Sequence, residues 1–261
     1  MKQPKYGLAL TKNSKTGWAF SIPRESTCIG KTRICSKLCY GNSIRYQSPG
    51  AQRKREKNHS TVRFLLSKGG PELLAENLVH LIDMARPEDW LAAKISEAPT
   101  ECPWTLRIHD IGDFPALDGY IEAWKLACTR RAECKFWFYT RSFQLIEPLT
   151  ELAALPNCQG WLSADTENYE RAVLAYVTAP QVWKLSILQE AVDRLPEEFY
   201  PNILRAVSSD RLVNFPYHVS GCHVAPAPEE RLVHCPQVLG QYPLNSGSGQ
   251  KPCQACSYCL P

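Results

Sequence analysis

Apolar and polar positions change period along this chain, and the changes divide it into segments. Residues 6–22 hold two short apolar runs, Tyr6 to Leu10 and Trp18 to Ile22, around the polar Lys12-Asn13-Ser14-Lys15, the pattern of a hairpin. Residues 45–68 are basic and partly helical in pattern. Gly69-Gly70-Pro71-Glu72 reads as a helix start, and Leu74, Leu78, Leu81, Ile82 and Ala85 follow at helical spacing to a stop at Pro87. From residue 104 onward, short apolar runs alternate with helical faces. Residues 104–108, 135–139, 160–163, 182–188 and 211–215 read as strands. Leu117, Tyr120, Ile121, Trp124 and Cys128 mark one helix face, and residues 169–177 and 197–207 give two further helices. Five or so βα units predict an α/β fold with a parallel sheet wound as a partial (βα) barrel. Such sheets hold their ligands at the carboxyl ends of the strands.

Those ends are polar. They read His109-Asp110-Ile111-Gly112-Asp113, Thr140-Arg141-Ser142, Ser163-Ala164-Asp165-Thr166-Glu167, Gln189-Glu190 and Tyr217-His218. Three polar groups and a glycine at one strand end serve ligand contact better than packing, which makes His109, Asp110 and Asp113 the candidate catalytic residues. Asp165 and Thr166 also suit a helix N-cap.

Twelve cysteines are many for a chain with no secretion signal, where clustered thiols serve metals or catalysis more often than disulfides. Cys253-Gln254-Ala255-Cys256-Ser257-Tyr258-Cys259 lets a short loop wrap one metal centre. This spacing is typical of iron-sulfur ligation with a fourth thiolate from elsewhere, for which Cys235, followed by Pro236, is the natural candidate. Four-thiolate zinc is the alternative, and a disulfide-bonded tail a third. Cys28, Cys35 and Cys39 form a second group in a basic loop, where Lys31, Arg33 and Lys37 are expected to lower thiolate pKa. Three clustered ligands need a fourth from afar or leave a position open for chemistry. Cys102, Cys128, Cys134 and Cys158, among apolar neighbours, read as small buried hydrophobes.

Charge adds a second division. Residues 1–68 carry 15 Lys and Arg against two acids, Glu25 and Glu56, whereas the remainder carries 15 against 24. Either the basic segment, with Arg53, Lys54, Arg55 and Lys57, meets an anionic partner such as nucleic acid, or it folds over the acidic remainder. The chain then divides into a basic hairpin and cysteine loop (1–68), a βα core (69–220) and a cysteine-rich tail (221–261), expected to form one compact unit. At 261 residues and 44% hydrophobic, the chain can bury a full core. No apolar run reaches the roughly 18 residues of a membrane span, so the cytoplasm is the expected compartment.

Thr27-Cys28 to Tyr40-Gly41, Arg107 to Phe114, Phe138-Tyr139-Thr140-Arg141-Ser142 and the terminal cysteine loop together resemble the phage and mobile-element gene product 88 family. Its layout is similar to that of radical S-adenosylmethionine enzymes, in which an early cysteine loop holds three irons of a four-iron cluster and the cofactor chelates the fourth. That likeness implies a [4Fe-4S] cluster on Cys28, Cys35 and Cys39, with Gly112 and Asp113 at the methionine end of S-adenosylmethionine. It also implies that Ser163 and Asp165 lie near the ribose, with Thr140 beside them, and that the last four cysteines form an auxiliary cluster. The spacing here, six residues and then three, differs from the usual Cys-x3-Cys-x2-Cys. A single cluster assembled from both ends of the chain is the other arrangement. Three functions compete: an iron-sulfur enzyme acting on a nucleic-acid or other anionic substrate, an iron-sulfur or zinc-stapled nucleic-acid-binding protein, and a metal-dependent hydrolase using His109, Asp110, Asp113 and His218.

Overall fold

The computed structural model describes residues 6–95, 104–189, 199–207, 211–216, 235, 241, 253 and 256–261. Strand β1 (Thr11–Asn13) turns back into β2 (Gly17–Phe20) as an antiparallel pair. Strands β3 (Thr105–Ile108), β4 (Lys135–Thr140), β5 (Cys158–Ala164), β6 (Trp183–Gln189) and β7 (Leu212–Pro216) follow. Each is parallel to the one before, so the sheet order is the chain order. The expected α/β fold is present, as an open seven-stranded sheet with six strands parallel.

The crossover from β2 to β3 carries α1 (Arg24–Thr27), α2 (Arg33–Leu38), α3 (Ile44–Gln47) and the long α4 (Pro49–Ile95). Later crossovers carry α5 (Tyr120–Arg130), α6 (Ile146–Ala153), α7 (Tyr169–Thr178) and α8 (Phe199–Ala206). Parallel crossovers turn right-handed, and when strands are laid down in sequence this sends every helix to the same face. The packing agrees, with α4 on α5, α5 on α6 and α7 on α8. Alternate strand residues Phe136, Phe138, Leu162, Leu185 and Ile187 meet Trp124, Leu149 and Ala172 in the main core. On the opposite face Trp161 and Val213 pack with Tyr139, Phe215, Cys235, Tyr258 and Cys259. Residues from the end of the chain therefore cover the face opposite α4 to α8.

Four details depart from the sequence expectation or refine it. The first hairpin strand lies at Thr11–Asn13, not at residues 6–10. Leu8 and Leu10 are buried, and Ala9 finds its backbone partners in a side chain: Ala9 N donates to Asn58 Oδ1 (2.9 Å) and Asn58 Nδ2 donates to Ala9 O (2.9 Å). The break expected at Gly69-Gly70 is a kink within α4, with Gly70 at φ 64°. Beyond it the helix does not stop at Pro87 but runs to Ile95, for the loss of one backbone donor. Helix α6 lies outside the helices expected from the sequence; Pro148 falls in its first turn, where a missing N–H costs nothing. Among the described residues, no helix is long and apolar enough to cross a membrane.

Asn58 also donates to Ser21 O (2.9 Å) and is fully buried, so it ties α4 to both the leading segment and the loop after β2. Asn58→Ala is expected to cost roughly 2 to 4 kcal/mol, since it leaves enclosed backbone groups unpaired. Urea unfolding measures this, and a loss within about 0.5 kcal/mol would contradict it.

Candidate metal and cofactor site

The loops after β2 and β3 run together beyond the strand ends, through Asp110 N to Phe20 O (3.1 Å) and Ile22 N to Ile111 O (3.1 Å). The cysteine loop is folded against them. A turn closes from Lys31 N to Cys28 O (3.3 Å). Thr32 then caps α2, its hydroxyl oxygen accepting from Cys35 N (2.9 Å) while its hydroxyl donates to Asp165 Oδ2 (2.6 Å). Gly30 lies so close to β4 that a Cβ would come within 1.7 Å of Arg141 O. The six-residue gap is thereby folded up, and Cys28, Cys35 and Cys39 line one pocket of about 120 Å³ at the carboxyl end of the sheet.

Its wall includes Arg24, Lys31, Arg107 and Arg141 against Asp110 and Asp113. Burial pushes the Cys28 thiol up, with Asp113, Cys35 and Cys39 adding to it against Lys31. Burial raises Cys35 as well, opposed chiefly by Arg141. The expectation that neighbouring cations lower these thiols is corrected, since desolvation dominates. Arg33 points outward to Glu167 (3.0 Å) with its side chain 94% exposed. A metal ion in place of the protons reverses this balance.

The structure brings together most of the residues expected at strand ends and gives several of them a structural task. Asp110 accepts from Asn13 Nδ2 (3.0 Å) and Tyr46 OH (3.1 Å) and pairs with Arg107 (3.3 Å), so it is a hub that joins β1, α3 and β3. The Tyr40 hydroxyl donates to its backbone oxygen. Asp113 accepts from Phe114 N (2.7 Å) and Arg141 N (2.8 Å), and burial lifts its carboxyl to about 6 in spite of those bonds. Gly112 sits at φ 90°, where a Cβ would lie 2.6 Å from Ile22 O, so packing alone requires glycine there. Asp165 is completely buried and accepts from Thr32, from Glu167 N (2.9 Å) and from Arg141 Nη1 (2.5 Å). It positions α2, and with it Cys35. Thr140 lines the pocket while its Oγ1 accepts from Ser142 N (3.0 Å), and Ser163 lines the pocket half-buried.

His109 lines the same pocket with a left-handed backbone, φ 62°, which a non-glycine residue adopts under strain. Its ring lies in an aromatic box: Nε2 is 2.7 Å from Tyr120 OH, the Tyr120 ring stacks at 5.8 Å and Phe114 meets it edge-on at 4.6 Å. Among the described residues the buried Nδ1 has no partner. Burial, helped by the charge on Arg107, holds the imidazole neutral with a pKa near 3.

The carboxy-terminal cysteines form a second group on the sheet face opposite α4 to α8. Cys253 N donates to Lys15 O (3.1 Å), Lys15 Nζ lies 3.9 Å from Cys235 Sγ, and Tyr139 OH donates to Cys259 Sγ (3.0 Å). Trp161 Nε1 donates to Cys259 O (3.1 Å). Burial raises Cys253 to about 11 and Cys259 to about 12, and in both cases Cys235 and Cys256 push the same way. None of these four lines the pocket of Cys28, Cys35 and Cys39, so the thiols form two groups. In each group the donor set is the soft, all-sulfur kind that suits iron-sulfur clusters or zinc. Among the described residues no three His, Cys, Asp or Glu side chains meet as closely as one bare ion requires. A cubane separates its corner thiolates more widely than a single ion does.

Arg53, Lys54 and Lys57 are exposed on α4, as phosphate contacts must be. Arg55 is turned inward and donates to Tyr46 O (2.8 Å), so it braces α3 rather than reaching solvent. Cys128, Cys134 and Cys158 are buried in the core as expected. Glu190, Tyr217, His218, Cys102 and Cys222 lie outside the described residues. Arg107, Tyr139 and Lys15 escaped the sequence reading. An arginine between Leu106 and Ile108 in a buried strand was the available signal for a polar second face.

Fold and site define an α/β protein with two sulfur-rich groups at one open sheet. The family model described as gene product 88 matches residues 2–260, and the chain belongs to that family. Searches of curated proteins and of solved structures gave no match.

The His109 pKa, depressed in the fold, makes a pH prediction. Its stabilising contribution is present above the ordinary value of 6.5 and is lost as pH falls below it toward about 3. Wild type is expected to lose stability across that window more steeply than His109→Gln, as measured by urea unfolding at each pH. Parallel curves would contradict the assignment.

Proposed function

We propose that this protein is an iron-sulfur enzyme of the radical S-adenosylmethionine kind, acting on an anionic substrate. One observation carries the reading: three thiols, Cys28, Cys35 and Cys39, line one pocket at the carboxyl end of the first parallel strand. A cluster held by three protein thiolates keeps one iron for an outside ligand. Gly112 and Asp113 follow the second parallel strand, and Thr140 and Ser163 line the same pocket, in keeping with the roles the resemblance implies. When bound, the cluster supplies the electron that cleaves S-adenosylmethionine and starts radical chemistry.

The chain's own residues do the holding and orienting. Thr32 and Asp165 fix the turn that presents Cys35, and Arg24 lines the pocket beside Cys39. Arg107, which stays charged despite burial because Tyr40, Asp110, Tyr139 and Cys253 surround it, supports negative charge on the cluster and on a substrate. His109 offers Nδ1 as a neutral hydrogen-bonding or proton-accepting atom. The pocket of about 120 Å³ would accommodate a compact inorganic group.

On reduced, oxygen-free protein, S-adenosylmethionine is expected to change the electron paramagnetic resonance spectrum, and Cys35→Ser to abolish that response. A fully iron-loaded sample that ignores S-adenosylmethionine contradicts the enzyme reading. The exposed Arg53, Lys54 and Lys57 favour one second reading, a nucleic-acid-binding protein stapled by its metal centres. That reading predicts affinity that falls steeply with salt, with a slope reduced by about one for each lysine or arginine replaced by glutamine. Affinity indifferent to salt would exclude it.

A further inference from the structure

A second cavity, of about 420 Å³, is lined by residues of α1, α3 and the first half of α4 and shares none of them with the cysteine pocket. Helix α1 stands between the two, with Arg24 lining the cysteine pocket and Glu25 and Ser26 lining the cavity. The α3 and α4 walls are tied together. Gln52 Nε2 donates to Gln47 Oε1 (2.9 Å), and Gln47 Nε2 donates in turn to Gly41 O (2.5 Å).

Arg55 lines this cavity and is only 7% exposed. Among the described residues its one hydrogen bond is the one to Tyr46 O (2.8 Å), and it makes no ion pair. The two carboxylates that line the cavity do not serve it, since Glu25 is taken by Arg24 (2.6 Å) and Glu56 is exposed. Burial disfavours the charge on Arg55, and the field of Glu25 and Glu56 offsets only part of that. A guanidinium buried without an ionic partner is costly, and an anion in the cavity would supply the partner that the chain does not. Other donors face the same space. Arg63, Ser26 and Ser60 line it from exposed positions, and His59 beside them is held below its ordinary value by burial and by the charge on Arg63.

The chemistry of the anion follows from what adjoins the cavity. Ser60 lies one helical turn from Lys57 and two from Arg53, so the exposed cations Arg53, Lys54 and Lys57 run along its edge. A row of cations beside a buried guanidinium matches an anion that repeats, as the phosphates of a nucleic-acid strand do, and arginine is the side chain whose fork fits phosphate. We propose that this cavity is a phosphate-binding site for a single nucleic-acid strand, with one nucleotide anchored on Arg55 and Arg63 and its neighbours held by Arg53, Lys54 and Lys57. The inference deepens the nucleic-acid reading above and rests on it. Only a flexible strand turns one phosphate into a concavity while its next phosphates stay on the helix surface. With α1 as the partition, the anchored nucleotide lies about one helix diameter, ~10 Å, from the cysteine pocket.

The test is fluorescence anisotropy of a short labelled single-stranded oligonucleotide with full-length, oxygen-free protein at fixed salt. Wild type is compared with Arg55→Gln, Arg63→Gln, Ser60→Asp and, as a control of equal charge change on an exposed residue of α8, Arg205→Gln. Arg55→Gln is expected to weaken binding about tenfold and to reduce the salt slope by about one. Arg63→Gln and Ser60→Asp weaken it in the same direction, Arg205→Gln changes it less than about twofold, and iron content stays at the wild-type value throughout. If Arg55→Gln does not fold, the two exposed positions carry the test, and wild-type affinity in both overturns the inference. Equal losses in the α8 control and the cavity variants would mean diffuse charge and would also overturn it. A nucleoside monophosphate is the competitor, expected to displace the strand only at far higher concentration; displacement as effective as by unlabelled strand would make a free nucleotide the occupant. Wild type that binds no strand removes the nucleic-acid reading as well, whereas tight, salt-dependent binding untouched by the cavity variants removes this inference alone.

Discussion

A sheet wound in strict sequence carries its crossover helices α4 to α8 on one face, and much else in this molecule follows from having to cover the other. The main core closes between alternate strand residues and α4 to α8, but Trp161, Tyr139, Val213 and Phe215 point away from it. Leaving such aromatic surface wet is unfavourable by roughly 25 cal/mol per Å². The chain meets the requirement with its own end, seating Tyr258, Cys259 and Cys235 on that face. Hydrogen bonds from Trp161 to Cys259 O and from Tyr258 to Leu212 O (3.0 Å) set the register of the seat. The terminal thiols are thus held beside the strand ends.

The same face explains where the charges went. Arg107 and Lys184 occupy strand positions between fully buried apolar residues, and each lies over aromatic rings. The acids at the strand ends answer a different need. Asp110 ties β1 and α3 to the end of β3, Asp113 ties the loop after β3 to Arg141, and Asp165 ties Thr32 and Arg141 to the loop after β5, which together stitch one rim. A rim tied in this way can hold three thiols in place before any metal arrives, which is what preorganisation of a metal site requires.

The periodic part of the fold was legible. Alternating strands and helices from residue 104 onward predicted the parallel sheet, and the βα order predicted where polar loops would meet. What could not be read was anything settled by distant partners. Residues 6–10 have strand-like composition but bond to Asn58, 49 residues away from Ala9. Arg55 looked like its exposed neighbours, yet the helix turns it inward toward Tyr46. At the candidate site, the cysteines and the residues around Gly112 were visible because their types and spacings are unusual. Arg107 and Tyr139 were not, since a single residue's choice of sheet face becomes informative only once the register is known. Likewise, local basic residues promised acidic thiols, while burial, which sequence does not display, pushes Cys28 and Cys35 the other way.

The most direct test of two separate sulfur centres is the iron, sulfide and zinc content of oxygen-free protein. It should be compared among wild type, a variant with Cys28, Cys35 and Cys39 replaced by serine, and one with Cys253, Cys256 and Cys259 replaced. The account predicts about eight irons in wild type and about four in each variant, with sulfide in proportion. About four in wild type and none in either variant would mean a single cluster shared by both ends of the chain, and zinc without sulfide would mean that neither group carries electrons.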